Sequence, residues 1–152
     1  MRALTRSITI PGTWCDATGA VHQWRCFEVV NRLVEDWFDA VGFSFNDMHV
    51  AGNLGTPTTQ LRLETPTPTR LGETLAASLR LVHLGRSSLA FEVTAEHAGN
   101  PRLRAATTLV WVSNDHGRLR STPMPADLRA RMAEWLPDAA ANAQAGENGA
   151  TP

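Results

Sequence analysis

The stretch Cys15-Asp16-Ala17-Thr18-Gly19-Ala20-Val21-His22-Gln23 gathers a thiol, a carboxylate and an imidazole within nine residues. It leads directly into a helical pattern. A helix start carries unpaired backbone N–H groups and the positive end of the helix dipole, so it favours an anion. Asp16 would supply such an anion beside those donors. The plainer reading gives Asp16 only a turn or a cap to make, and spacing alone favours it. His22 differs from His49, His83, His97 and His116, because it sits at the helix start near Asp16. The five histidines show no metal-ligand spacing.

The element that must position this stretch is the helix after it. Trp24, Phe27, Val30, Leu33, Val34, Trp37, Phe38 and Val41 step by three and four, which puts them on one face at the 3.6-residue period. Gly42 follows as a C-terminal cap. Before the helix, Leu4, Arg6, Ile8 and Ile10 share one face of a strand that Pro11-Gly12 interrupts. After it, residues 42–56 form a connection without periodicity. Strand patterns then cover 58–65, with Leu61 and Leu63 on one face, 75–84, 88–96 and 103–112. Gly85-Arg86, Gly99-Asn100-Pro101 and Asn114-Asp115-His116-Gly117 read as tight turns. Pro125 precedes a short helix over 126–136, with Leu128, Met132 and Trp135 on one side.

Short turns between successive strands imply antiparallel neighbours. One apolar helix against such a sheet is an α+β domain, and the helix's broad apolar face suits a curved sheet wrapped around it. A chain of 152 residues fits one domain, placed at 1–137, followed by an Ala/Asn/Gly-rich tail, 138–152, expected to be disordered. A net charge of -1 gives no electrostatic case for nucleic-acid binding. No apolar run reaches membrane-spanning length, and no signal-peptide pattern opens the chain. Cys15 and Cys26 fit no zinc pattern and read as free thiols of a cytoplasmic protein. The chain has no G-x-S-x-G, P-loop, G-x-G-x-x-G or H-E-x-x-H motif.

Asp16-Ala17-Thr18-Gly19-Ala20-Val21 resembles a pattern of the hotdog-fold acyl-CoA thioesterases, in the 4-hydroxybenzoyl-CoA thioesterase-like branch, whose acid precedes the central helix. Gly55-Thr56-Pro57, Pro68-Thr69-Arg70-Leu71-Gly72-Glu73, Gly85-Arg86-Ser87-Ser88 and the stretch from Gly117 through Pro125 to Arg129 resemble further motifs of that family, in the same order. The likeness runs from Ser7 to Trp135. Trp14 stands where the family often has another Asp, Asn31 where an acid is common on the helix, and His22 where an aromatic residue is frequent. The resemblance implies a curved sheet of five to six strands around one long helix, and hydrolysis of an aryl- or short acyl-CoA thioester. It implies Asp16 as nucleophile or general base, and the backbone N–H of Gln23 as donor to the thioester carbonyl. Gly19 would allow close approach of the substrate, with His22 and Asn31 beside it. Arg86, Ser87 and Ser88 would meet the CoA phosphates, whose charge Arg and hydroxyl donors suit. No cofactor is implied, CoA being part of the substrate; partners are the acyl-CoA and a second copy of the chain, as dimer or tetramer. The alternatives are a thioesterase acting on an acyl-carrier protein and a non-catalytic acyl-CoA binding module. A hotdog hydratase would carry an Asp-x-Asn-Pro-x-His stretch, which is missing here.

Overall fold

The apolar face of one helix needs a wall to bury it, and five strands supply it. The computed structural model describes residues 2–138. The strands are β1 (Leu4–Thr9), β3 (Thr58–Glu64), β4 (Thr74–Leu84), β5 (Ser88–His97) and β6 (Asn100–Val110), in the order β1-β4-β5-β6-β3 and antiparallel throughout. Three short strands, β2 (Leu54–Gly55), β7 (Val112–Asp115) and β8 (Arg118–Ser121), form a second small sheet in the order β2-β7-β8. The long helix α1 spans Cys26–Ala40, α2 spans Phe45–Ala51 and α3 spans Ala126–Ala133. The expected tail lies, after Asp138, outside the described residues. No helix among the described residues is long and apolar enough to cross a membrane.

The inward row of the sheet follows the two-residue strand period. Leu75, Ala77, Leu79 and Leu81 of β4 are buried, as are Leu89, Phe91, Val93 and Ala95 of β5. Leu81 and Leu84 are both buried although their spacing is odd, because a register shift between Leu81 and His83 restores the phase. Against this row α1 buries Cys26, Val29, Val30, Leu33, Val34, Trp37 and Phe38. Trp37 is the centre of the packing, its ring 4.8 Å from Phe91 and 5.9 Å from Trp135. Gly42 adopts φ 81° just beyond the helix, the left-handed conformation expected of its cap position.

Three expectations need correction. The helix face does not begin at Trp24: a 3-10 turn, Gln23–Arg25, precedes α1, and Trp24 and Phe27 are 54% and 45% exposed. The connection after Gly42 contains α2, held by a reciprocal capping box in which Ser44 and Asp47 bond each other's backbone N–H. Strand 103–112 breaks at Trp111, splitting into β6 and β7. That strand also has no free edge, since β6 is paired with β5 on one side and β3 on the other. The edges are β1 and β3. Both cysteines are free, as expected.

Candidate active site

Residues 14–22 fold as a small hairpin of their own. Cys15 and Val21 form an isolated bridge, Asp16 N–H donates to Ala20 O (2.8 Å), and His22 N–H donates to Trp14 O (2.9 Å). Gly19, at φ 81°, closes the turn by donating to Asp16 O (3.0 Å). A side chain at that φ would be strained, so the tip of this loop requires glycine. The plainer reading of Asp16 is therefore correct as far as it goes. Its Oδ1 accepts from Thr18 N–H (2.8 Å), Thr18 Oγ1–H (2.6 Å) and Ala20 N–H (3.2 Å). These bonds, that from the Thr18 hydroxyl foremost, hold the carboxyl below its usual range, with a smaller contribution from His22. Asp16 is exposed and ionised at neutral pH.

All three bonds end on one oxygen. The other, Oδ2, accepts none among the described residues, so one side of the carboxylate serves the turn and the other faces outward. Thr18 is the partner that sequence reasoning overlooked. Asp followed two residues later by Thr is a side-chain turn signature and could have revealed it.

The helix start lies beside this loop. His22 precedes the 3-10 turn with no side-chain cap on it. The N–H groups of Gln23 and Trp24, first in that turn, have no intrahelical partner. The Gln23 side chain reaches Thr65 Oγ1 (3.3 Å), just past β3. His22 stacks on Trp24 with ring centroids 5.9 Å apart, and the Arg25 guanidinium lies 4.2 Å over Trp24. The fold thus brings together Asp16, Gly19, His22 and Gln23.

Asn31 is two helical turns further along α1, its amide donating to Glu35 Oε1 (2.9 Å). It lines a cleft of about 560 Å³ between α1, α2 and the β3 edge. Phe27, Val30, Val34, Phe45, Met48 and Leu109 give this cleft apolar walls, and Asn31, His49 and Thr107 add polar groups. Phe27 stands one helical turn after Gln23, so the cleft begins next to the helix start. Of its residues only Asn31 was singled out from sequence as a site residue; α2 carried no signal there.

Arg86, Ser87 and Ser88 are elsewhere. They join β4 to β5 at the Leu84 end of β4, whereas the Asp16 loop follows β1, whose Thr9 pairs with Thr74 at the other end. Ten residue steps of strand separate those ends by roughly 30 Å. Within one copy of the chain they do not share a site. The turn itself is well held: Ser87 Oγ is 2.9 Å from Ser121 Oγ on β8, Trp111 N–H donates to Ser87 O (2.6 Å), and Arg129 donates to Leu84 O and Gly85 O (both 3.1 Å). The Arg86 side chain is exposed and bonds nothing among the described residues.

Comparison with known proteins agrees with this architecture. The thioesterase-like superfamily pattern matches residues 10–132. No curated protein matches the chain. Among solved structures, a 1,4-dihydroxy-2-naphthoyl-CoA thioesterase from Synechocystis superposes with a TM-score of 0.79 at 15% identity, over 88% of this chain and 97% of that one. A probable thioesterase from Bartonella henselae gives 0.72 at 17% identity, over 80% and 100%. A gentisyl-coenzyme A thioesterase gives 0.72 at 15%, over 84% and 98%. At such identities the structures speak for the fold, one helix cradled by a curved antiparallel sheet, and the sequence pattern speaks for the family. The chain belongs to the thioesterase-like superfamily, as a thioester hydrolase of the hotdog fold.

Proposed function

We propose that this protein hydrolyses acyl-CoA thioesters with an aryl or short acyl group, through Asp16 and the backbone N–H of Gln23. The observation that carries the proposal is the asymmetry of Asp16, with Oδ1 saturated by the turn and Oδ2 unengaged beside an uncapped helix start. The carboxylate, ionised and fixed by the loop, attacks the thioester carbon or takes a proton from the attacking water. The Gln23 N–H donates to the carbonyl oxygen as charge develops there. One such donor contributes about 3–4 kcal/mol to lowering the barrier. The CoA thiolate leaves; where Asp16 attacks directly, water then hydrolyses the mixed anhydride to the free acid, and where Asp16 takes the proton of water the free acid forms in the same step. The acyl group would lie along the helix past Phe27, toward the cleft that Asn31 lines. Gly19 leaves the loop tip bare for the approaching thioester.

The placement of the Asp16 loop and the Arg86 turn at opposite ends of β4, ends roughly 30 Å apart, bears on how CoA is held. β3 is an edge strand, with Leu61 exposed on it and Phe27 exposed nearby. The other edge, β1, is partly blunted, since Arg6 donates to the Thr5 carbonyl (2.9 Å) and pairs with Asp36 (2.8 Å). Two copies pairing antiparallel through β3 about a twofold axis place the Glu64 end of one strand against the Thr58 end of the other. The Asp16 loop lies toward the Glu64 end and Arg86 toward the Thr58 end. Such a pairing sets the Asp16 loop of one copy facing the Arg86 turn of its partner. The CoA phosphates would then meet Arg86, Ser87 and Ser88 across the boundary.

Thiol release from a panel of acyl-CoAs, with aryl, short and long acyl groups, tests the activity. Turnover of an aryl or short acyl-CoA is expected, and no release from any member would overturn the proposal.

A further inference from the structure

The turn Pro68-Thr69-Arg70-Leu71-Gly72-Glu73 has no part in the chemistry above, yet it is joined to the Asp16 loop by a bridge of two hydrogen bonds. Val21 N–H donates to Thr69 O (2.8 Å) and Leu71 N–H donates to Gly19 O (2.8 Å), which pairs Ala20 with Arg70. Residues 19–21 are thus held on one side by Asp16 and on the other by this turn. What holds the turn is not apolar burial. Thr69 is its one buried residue, and Leu71 is 58% exposed.

Backbone bonds close the turn and dock it beside the end of β1, Glu73 N–H donating to Arg70 O (3.1 Å) and Ile10 N–H to Glu73 O (3.0 Å), and the Glu73 carboxylate anchors it further. Oε1 accepts from Arg70 N–H (2.6 Å), across the turn. Oε2 accepts from Arg102 Nη2 on β6 (2.8 Å) and lies 3.3 Å from His97 Nε2 on β5. The other nitrogen of that ring, Nδ1, is 3.0 Å from Thr74 O. The Glu73 and Arg102 side chains are only 14% and 11% exposed. A charge pair so enclosed has few waters to replace a lost partner. One carboxylate therefore ties the turn to β5 and β6 with one oxygen and shapes the turn with the other.

We propose that Glu73 is a positioning residue, which fixes the 69–73 turn to the sheet and through it holds the Asp16 loop in its working shape. Its consequence for catalysis rests on the reading of Asp16 given above; its consequence for the loop does not. Glu73→Gln keeps an oxygen for Arg70 N–H but sets an uncharged amide against Arg102 and His97. Arg102→Met removes the same pair from the other side and leaves the turn's own sequence intact. Neither residue touches the proposed substrate.

The experiment combines amide hydrogen exchange, kinetics and a thermal melt on both variants of the full chain. Exchange at Thr18, Ala20 and Val21 is expected to rise about tenfold or more, since these amides report local opening of the loop. kcat should fall by about 10- to 100-fold, in the range that a misplacement of about 1 Å produces, while KM changes by less than about twofold. The double variant should be little worse than either single one, because both act on one pair. Folded variants with a lower Tm but unchanged kcat and unchanged exchange at residues 18–21 would overturn the proposal. A parent protein inactive on every acyl-CoA would sink the functional reading instead, and faster exchange in the variants would still support the latch.

Discussion

Asp16 can serve the turn and the reaction together because its two oxygens have different neighbours. Asn keeps the oxygen that the turn uses and replaces the other with an amide nitrogen. Asp16→Asn should therefore preserve the three bonds from Thr18 and Ala20 and the fold, with a small drop in melting temperature because the bonds no longer end on a charge. The amide can neither attack a thioester nor accept a proton from water. kcat is expected to fall by at least about 10²-fold, with substrate binding largely kept. The measurement is kcat on the best acyl-CoA of the panel beside a thermal melt. An Asn variant with near-parental kcat would remove Asp16 from the mechanism.

Two turns, each closed by an acid, hold the site at the level of elements. Hydrogen bonds lower the Asp16 carboxyl from 3.8, and Arg102 foremost lowers that of Glu73 from 4.5. A folded-state value below the unfolded one means stability that is complete above the unfolded value and is lost as pH falls through the folded one. Tm should therefore hold steady on going down to about pH 5 and drop below the ordinary carboxylate values of 4.5 and 3.8. Glu73→Gln, with nothing to protonate, should start lower and lose less over that interval. Parallel acid limbs for parent and variant would show that Glu73 contributes nothing to the acid sensitivity. The 3-10 turn before α1 belongs to this scale too. It places the uncapped N–H groups beside the loop, whereas the helix proper, from Cys26, is fixed by its buried face.

For the whole molecule, the open β3 edge and the separated Arg86 turn lead to two expectations. Light scattering at micromolar concentration should find a dimer or a larger assembly, because an unpaired edge flanked by exposed Leu61 and Phe27 is a template for a second chain. A monomer there would reject the shared site. Arg86→Ala should raise KM by about tenfold, the lower end for losing a hydrogen bond to a charged group, leave kcat close to parental, and lose its effect at high salt. Mixing the Asp16→Asn and Arg86→Ala chains, with exchange of subunits, should restore a low-KM activity. One of the two sites in such a hybrid combines an intact Asp16 with an intact Arg86 from its partner. A mixture whose KM stays raised would place the Arg86 contact within one copy or nowhere.

The order of elements could be read from the sequence because each rests on local periodicity. The three- and four-residue steps through Leu33, Trp37 and Phe38 mark α1, and alternation through Leu79, Phe91 and Val93 marks the strands. Turns needing positive φ announced themselves as Gly19, Gly42 and Gly117. The Asp16 loop was legible as a motif, and so was its place before the helix. Tertiary structure decided the rest. Trp24 and Phe27 fit the helical stripe yet remain exposed, because burial depends on which elements pack against a position, and periodicity carries no such information. α2 was hidden because seven residues held by Ser44 and Asp47 are too short to show a period. Which strand became an edge was equally invisible: β6 and β3 have similar local patterns, and only the pairing order leaves β3 open. The separation of Arg86 from Asp16 follows from the direction of β4, and the convergence of Glu73, His97 and Arg102 on one carboxylate follows from register between strands distant in sequence. Spacing along a chain fixes which face a side chain takes, but long-range pairing fixes which faces meet.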